Sequence, residues 1–246
     1  MKNTIAIFKR ELSGYFATPV AYVFIVVFLL LSVGLTFAFG FFTGTENDQA
    51  DLQRFFFLHP WIFLFLIPAV SMRLWSEERR VGTIELLMTL PVSTFQAVMG
   101  KFLAAWSFTA IALALTGSMW ITVNFLGEPD NGVILASYIG SLFMAGAYLA
   151  IGAFVSALTK NQVISLVISV MICAAFVFAG MPMILGPLSV ILPDAAIDTV
   201  RSFSFLTHFE SISKGLIDLR DVIFFGSLMF CFLLANAIVV DVKKAS

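Results

Sequence analysis

The chain has 246 residues, of which 60% are hydrophobic and only 12% are charged, and its formal net charge is -1. A soluble domain of this length needs more polar surface than that composition provides, and the near-neutral charge gives no indication of nucleic-acid binding. Uninterrupted apolar runs of about 18 or more residues are typical of bilayer-spanning helices. The sequence therefore predicts an all-α integral membrane protein with a single transmembrane domain over 1–246.

The first 18 residues predict an amphipathic helix that lies in the membrane interface. Its apolar positions recur at helical spacing and comprise Ile5, Phe8, Leu12 and Tyr15. Its charged positions fill the other face and comprise Lys9, Arg10 and Glu11. Such a division between apolar and charged faces favours a helix that contacts lipid on one side and water on the other.

Six charge-free segments are long enough to cross a hydrocarbon core of about 30 Å as helices. These predicted spans are 20–42, 55–72, 102–126, 133–158, 163–185 and 222–240. The second contains Pro60 and Pro68, so a kink or tilt is expected there. Ser93 and Gln96 predict a capping box at the start of the helix that leads to the third span.

Lys and Arg residues predict the orientation of these spans. The segments on the side of both termini hold Lys2, Lys9, Arg10, Arg73, Arg79, Arg80, Lys101, Lys160, Lys243 and Lys244. The segments on the other side hold Arg54, Arg201, Lys214 and Arg220. Because cytoplasmic segments carry the excess of Lys and Arg, both termini are predicted to be cytoplasmic.

Residues 76–90 predict a short cytoplasmic helix between spans two and three. Ser76 is the predicted N-cap, and Val81, Ile84 and Leu87 or Met88 share one apolar face. Two interpretations of the charged face remain open. It is either a solvated surface that obeys the positive-inside rule, or a docking lever that a soluble partner recognises through complementary charge.

The segment 186–221 is too apolar for a flexible loop and too polar to span the membrane. It predicts short helices that dip into or cap the outer leaflet. Its candidate site residues are His208, Glu210, Lys214 and Asp218. Acidic residues are the expected background of an outer loop, so no metal site is predicted, although a partner protein on this side is a further candidate.

The sequence contains no G-x-x-x-x-G-K-[ST] phosphate loop and none of the motifs H-E-x-x-H, C-x-x-C or G-x-S-x-G. The chain is therefore predicted to be non-catalytic, with no catalytic residue and no cofactor of its own. If ATP drives the protein, another polypeptide must bind it. The predicted spans also lack Asp, Glu, Lys and Arg, which counts against a proton- or ion-coupled carrier.

Two segments resemble ABC-2-type permeases, the membrane subunits of ATP-binding-cassette exporters with the type V exporter-like fold. EERRVGTIELLMTLPVSTFQAVMGKF is similar to their coupling-helix region, and FLTHFESISKGLIDLRDVIFF to the segment that leads into their sixth span. Within that group the chain is most similar to the gliding-motility-type permease subunits.

The resemblance implies two copies of an ATP-binding subunit, which bind ATP and Mg, and a second permease subunit in a homodimer or heterodimer. It implies the bacterial cytoplasmic (inner) membrane, and a re-entrant helical hairpin over 186–221. It also implies a docking surface that consists of Glu77, Glu78, Arg79, Arg80, Gly82, Thr83 and Glu85.

Three functions therefore remain open. The favoured one is a permease subunit that couples ATP hydrolysis by a separate subunit to export or mechanotransmission. The alternatives are a membrane scaffold that anchors an assembly complex and an ATP-independent carrier. Charge-free spans suit lipid-like or amphiphilic cargo, but the sequence does not name a substrate.

Overall fold

A computed structural model describes residues 2–39, 51–84, 92–189, 193–216 and 218–244, and these residues are helical apart from short connections. The helices are α1 (Lys2–Phe16), α2 (Pro19–Leu29), α3 (Leu35–Phe39), α4 (Gln53–Ser71), α5 (Arg73–Val81), α6 (Thr94–Leu115), α7 (Gly117–Leu126), α8 (Asn131–Leu158), α9 (Gln162–Phe178), α10 (Pro182–Ser189), α11 (Asp194–Ser202), α12 (Phe205–Ser213) and α13 (Leu219–Lys244). A π-helical turn, Leu30–Gly34, joins α2 to α3.

Five helical segments of the described part are long and apolar enough to cross a membrane. They are Pro19–Ala38, Gln53–Val81, Thr94–Leu126, Asn131–Leu158 and Leu219–Lys243. These segments correspond to five of the six predicted spans. The predicted end of the first span, at 42, lies outside the described residues.

The remaining predicted span, 163–185, is wrong in its second half. Helix α9 has 17 residues and ends at Phe178, where the chain turns before α10 begins at Pro182. At a rise of 1.5 Å per residue, α9 is about 26 Å long, which is slightly less than the usual hydrocarbon thickness. The six-span topology therefore stays a prediction.

Helix α8 is the centre of the bundle, and it contacts α4, α5, α6, α9, α12 and α13. Small residues permit this close packing, because they let helix backbones approach one another. Ser137, Ser141 and Ala145 are completely buried within the chain. At Gly152 an added Cβ would overlap the Ser71 hydroxyl of α4, so only glycine fits there.

The bundle has two distinct ends. We call one the basal end; it contains α1, α5, the start of α6 and the C-terminal ends of α8 and α13. Two contacts join the end of α13 to its neighbours there: Thr94 donates to Asp241 Oδ1 at 2.9 Å, and Lys243 Nζ donates to the Leu158 carbonyl at 2.6 Å. The distal end contains α10, α11, α12 and the start of α13.

The hydroxyl of Ser156, on α8, joins that helix to the junction between α4 and α5. Its oxygen accepts from the backbone amides of Trp75 and Ser76 at 3.1 and 3.0 Å, and it donates to the Met72 carbonyl at 2.8 Å. A hydroxyl has one donor and two acceptor sites, so this arrangement uses all three. The interruption at Met72 follows Pro68 by four residues, within the segment where the prolines predict a kink.

We expect Ser156→Ala to destabilise the chain, because it leaves two buried amides without this acceptor. A buried unsatisfied donor costs about 1–3 kcal/mol. The measurement is the apparent melting temperature of the purified chain in detergent, followed by tryptophan fluorescence.

Ser165→Ala is the matched control, since the Ser165 hydroxyl is equally buried and has no hydrogen-bond partner among the described residues. It should leave the melting temperature nearly unchanged. Equal losses in the two variants would contradict the assigned role of Ser156.

Candidate functional site

Helix α5 carries the charged segment that the sequence predicts as a helix over 76–90. That prediction is wrong at its start, because α5 begins at Arg73. Ser76 therefore lies inside the helix and is completely buried. Its hydroxyl donates to the Met72 carbonyl and does not cap an N-terminus.

The end of α5 is set by Gly82, whose backbone φ is 79°. This left-handed conformation favours glycine, because a side chain would be strained there. Helical geometry resumes at 83–84, and residues 85–91 lie outside the described part, as does the predicted docking residue Glu85. The prediction of a single helix over 76–90 is therefore wrong, since the helix is interrupted at Gly82.

Lys101 is a buried charge at the basal end, with a side chain only 3% exposed. Its Nζ lies 2.8 Å from Glu78 Oε1 and 3.2 Å from Glu11 Oε1, and 5.4 Å from the centre of the Trp75 ring. Burying an ammonium group is costly unless it is paired and hydrogen-bonded. The pairing of Lys101 joins three helices: α6, α5 and α1.

Lys101 lies two turns inside α6, whereas the predicted third span begins only after it. Helix α6 starts at the predicted capping box, in which Ser93 Oγ accepts from the Gln96 amide and Gln96 Oε1 accepts from the Ser93 amide, both at 3.3 Å. The spanning segment Thr94–Leu126 thus contains Lys101. The predicted charge-free span 102–126 is therefore the later part of a longer helix, and Lys101 directly precedes it.

Arg10 completes the group, which we call the basal ion cluster: Arg10, Glu11, Glu78 and Lys101. The Arg10 guanidinium lies 2.7 Å from Glu11 Oε1 and 3.7 Å from Glu78 Oε1. Burial raises the pKa of Glu11, but Lys101 and Arg10 outweigh that effect, so the pKa of Glu11 lies below its usual range. Two cations and two carboxylates balance, and the cluster carries no net charge.

The two other charged residues at the centre of α5 also bind within the chain. Glu77 forms a bidentate pair with Arg73, with N–O distances of 2.9 and 3.3 Å. Arg79 donates to the Ala157 carbonyl at 2.6 Å. That carbonyl belongs to the last turn of α8, where helix carbonyls lack intrahelical donors.

The predicted docking residues therefore divide into two groups. Glu77, Glu78 and Arg79 are half-buried and paired inside the chain. Arg80, Gly82 and Thr83 are exposed, together with Val81, whose side chain is 64% exposed and does not anchor the segment as predicted.

The predicted faces of α1 are rotated in the structure. Ile7 is buried against α6, where a Cβ at Gly100 would collide with it, whereas Ile5 is exposed. Phe8 and Leu12 are half-buried, and Lys9 and Arg10 are exposed as predicted. Glu11 faces Lys101 and not solvent, because the buried ammonium requires a carboxylate. The position of α1 in a membrane interface stays a prediction.

The candidate residues of the distal end have separate local roles. Glu210 and Lys214 form an exposed pair at 2.8 Å, one helical turn apart on α12 and just after it. Asp218 accepts from the Arg220 amide at 3.1 Å before α13 begins. His208 is buried and contacts Asp221.

Within the described ranges no group of three His, Cys, Asp or Glu side chains is arranged to hold a metal ion. The basal ion cluster is the most extensive set of paired charges among the described residues. Sequence reasoning missed its central member, Lys101, although the capping box at Ser93 and Gln96 carried the signal for it. A helix that starts at Thr94 places Lys101 beside the neighbouring helices.

The comparisons with known proteins agree with a membrane component. A search of curated proteins found no match to the chain. A family model described as "ABC-2 family transporter protein" matches residues 62–240, which include α5, α6 and Lys101 but not α1. Since the match covers most of the sequence, the chain belongs to the ABC-2 transporter family, which generally comprises non-catalytic membrane components that work with an ABC ATP-binding subunit.

Proposed function

We propose that this chain is the permease subunit of an ATP-binding-cassette transporter, in which a separate subunit hydrolyses ATP and drives export or mechanotransmission. The ATP-binding subunit docks on the exposed residues at the end of α5 and just after it, Arg80–Thr83, and on Glu85. The proposal rests on one observation above all, namely that the charged helix α5 is bonded to α1, α6 and α8.

These bonds form a route for force. The carboxylate of Glu78 contacts Lys101 of α6 and Arg10 of α1, and the guanidinium of Arg79 holds the end of α8. Because packed interiors deform little, a displacement of α5 moves the helices bonded to it. Glu78 and Arg79 act in this proposal as internal connectors, and Arg80 meets the partner.

The remaining features of the proposed complex are supported by the resemblance of the sequence to ABC-2-type permeases. Two ATP-binding subunits bind ATP and Mg, and a second permease subunit completes a homodimer or heterodimer. The Lys and Arg distribution supports cytoplasmic termini in a bacterial inner membrane. The motif similarity supports the gliding-motility-type permeases as the nearest subfamily.

We expect Arg80→Glu to weaken binding of the ATP-binding subunit by at least about tenfold, because it reverses an exposed charge at the docking surface. The measurement is co-purification and titration of the two subunits at two salt concentrations, with the permease in nanodiscs. The chain itself should fold normally, since Arg80 is exposed.

Lys160→Glu is the matched control, because Lys160 is exposed between α8 and α9 at the same end of the bundle. It makes the same charge change outside the α5 segment. If Lys160→Glu weakened binding equally, or Arg80→Glu had no effect, docking on the α5 segment would be wrong.

We expect Lys101→Met to destabilise the chain by about 3–5 kcal/mol, since it leaves buried carboxylates without their ammonium partner. The double variant Lys101→Met with Glu78→Gln removes one charge of each sign, and Glu11 keeps its pair with Arg10. It should recover most of the melting temperature and still bind the ATP-binding subunit.

The informative measurement on this double variant is the coupling between the permease and the ATPase rate of its partner subunit. We expect it to lose the difference in ATPase rate between the full complex and the isolated ATP-binding subunit, because α5 is no longer bonded to α6. A double variant that folds, binds and keeps normal coupling would show that the cluster stabilises the chain and transmits no force.

A further inference from the structure

A polar cavity of about 480 Å³ opens at the distal end between α11, α12 and the start of α13. His208 and Asp221 both line it, although their side chains are only 7% and 6% exposed. The second carboxylate oxygen of Asp221 is buried and has no hydrogen-bond partner in the described part of the chain. The cavity gives water and protons access to a pair that is otherwise enclosed.

Both ring nitrogens of His208 face hydrogen-bond acceptors. Nδ1 lies 2.6 Å from Asp221 Oδ1, and Nε2 lies 2.9 Å from the Ser202 carbonyl oxygen. A carbonyl oxygen cannot donate, so Nε2 must carry a proton to bond Ser202. The short contact to Asp221 then requires a second proton between Nδ1 and Oδ1.

The arrangement therefore holds one proton more than a neutral imidazole and an ionised carboxylate hold together. When that proton leaves, one of the two contacts becomes repulsive. The hydrogen bond to the carboxylate is charge-assisted and is the stronger of the two, so the imidazole keeps its proton on Nδ1. The bond from Nε2 to Ser202 is the one that is lost.

Three local features favour the protonated imidazole against the cost of burial. The Asp221 carboxylate supplies an opposite charge. Ser202 is the last residue of α11, a nine-residue helix, and a cation near a helix C-terminus is stabilised by the helix dipole. The ring of Phe224 stacks on the imidazole, with ring centres 4.0 Å apart, where a cation–π attraction acts.

We propose that His208, Asp221 and the Ser202 carbonyl form a proton-dependent latch, which holds the end of α11 against α12 when protonated and releases it when deprotonated. The connection from α12 to α13 through Asp221 persists in both states. The latch opens when rising pH removes the proton that the imidazole and the carboxylate share. This proposal does not depend on coupling to ATP.

Several other charged groups lie around the latch. The same cavity is lined by Asp198 and Arg201 from α11 and by Asp218 and Arg220 near the start of α13. On α12 itself, Glu210 and Lys214 are exposed and paired with each other. Of the other helices packed against α12, α8 and α9 contain no Asp, Glu, Lys or Arg, and α4 presents Arg54 and the buried His59.

An environment-sensitive fluorophore at Phe203→Cys tests the latch, because Phe203 is 52% exposed in the turn between α11 and α12. The exposed Cys231 is replaced by Ser in this chain of 246 residues, which is placed in nanodiscs. We expect one emission transition as the pH is raised from 5 to about 9. Asp221→Asn should move its midpoint down by about one pH unit or more, since the carboxylate no longer stabilises the cation.

His208→Gln should abolish the transition, because glutamine does not titrate. A transition that persists in His208→Gln, or its absence between pH 5 and 9 in the otherwise native chain, would overturn the proposal.

Histidine-selective NMR of the native chain keeps the test valid if a variant fails to fold, since the sequence contains only two histidines. We expect the His208 imidazole signal to titrate with the midpoint of the fluorophore. A fluorophore transition without that signal change would also refute the latch.

Discussion

The basal end depends on the buried ammonium group of Lys101. An ammonium with 3% exposure loses almost all of its hydration, and only oppositely charged partners at hydrogen-bond distance compensate for that loss. Glu78 and Glu11 supply these partners from two different helices. Moving either helix away would therefore destabilise the chain by several kcal/mol. The geometry of α1, α5 and α6 is thereby fixed by a single side chain.

Helix α8 extends that constraint through the rest of the bundle. Ser156 bonds the junction of α4 and α5, and Arg79 bonds the last turn of α8, so α5 contacts its neighbours through both its backbone and its charges. These contacts require small residues, since the Ser71 side chain of α4 lies too close to Gly152 for an added Cβ. The two sets of interactions reinforce each other, because close packing also excludes water from the polar contacts.

Much of the helix content could be predicted from apolar run length, because a spanning helix must satisfy its backbone hydrogen bonds internally. Errors arose where tertiary contacts or glycine geometry override hydropathy. The capping box at Ser93 predicted the true start of α6, but a charge-free window placed the span after Lys101. Gly82 ended α5 inside a pattern whose apolar spacing predicted a continuous helix.

The candidate site was less predictable than the fold for a physical reason. Charge identity can be read from the sequence, but the partner of a charge depends on which helices meet. Glu78 fits a docking surface by composition, yet Lys101 lies 2.8 Å from it. Glu11 was assigned to a polar face by periodicity, and the same buried ammonium draws it inward. Only Arg80, Gly82 and Thr83 remain exposed among the described members of the predicted surface.

Helix α13 runs without interruption from the distal end of the bundle to the basal end. Helix α13 has 26 residues and is therefore about 39 Å long at 1.5 Å per residue. Near its start, Asp221 contacts His208 in the distal cavity, and near its end, Asp241 and Lys243 bond α6 and α8. Helix α13 is therefore bonded to other helices near both of its ends. Because α6 also carries Lys101, a continuous set of contacts connects α5 to the base of α13, and the distal helices are bonded to the other end of the same helix.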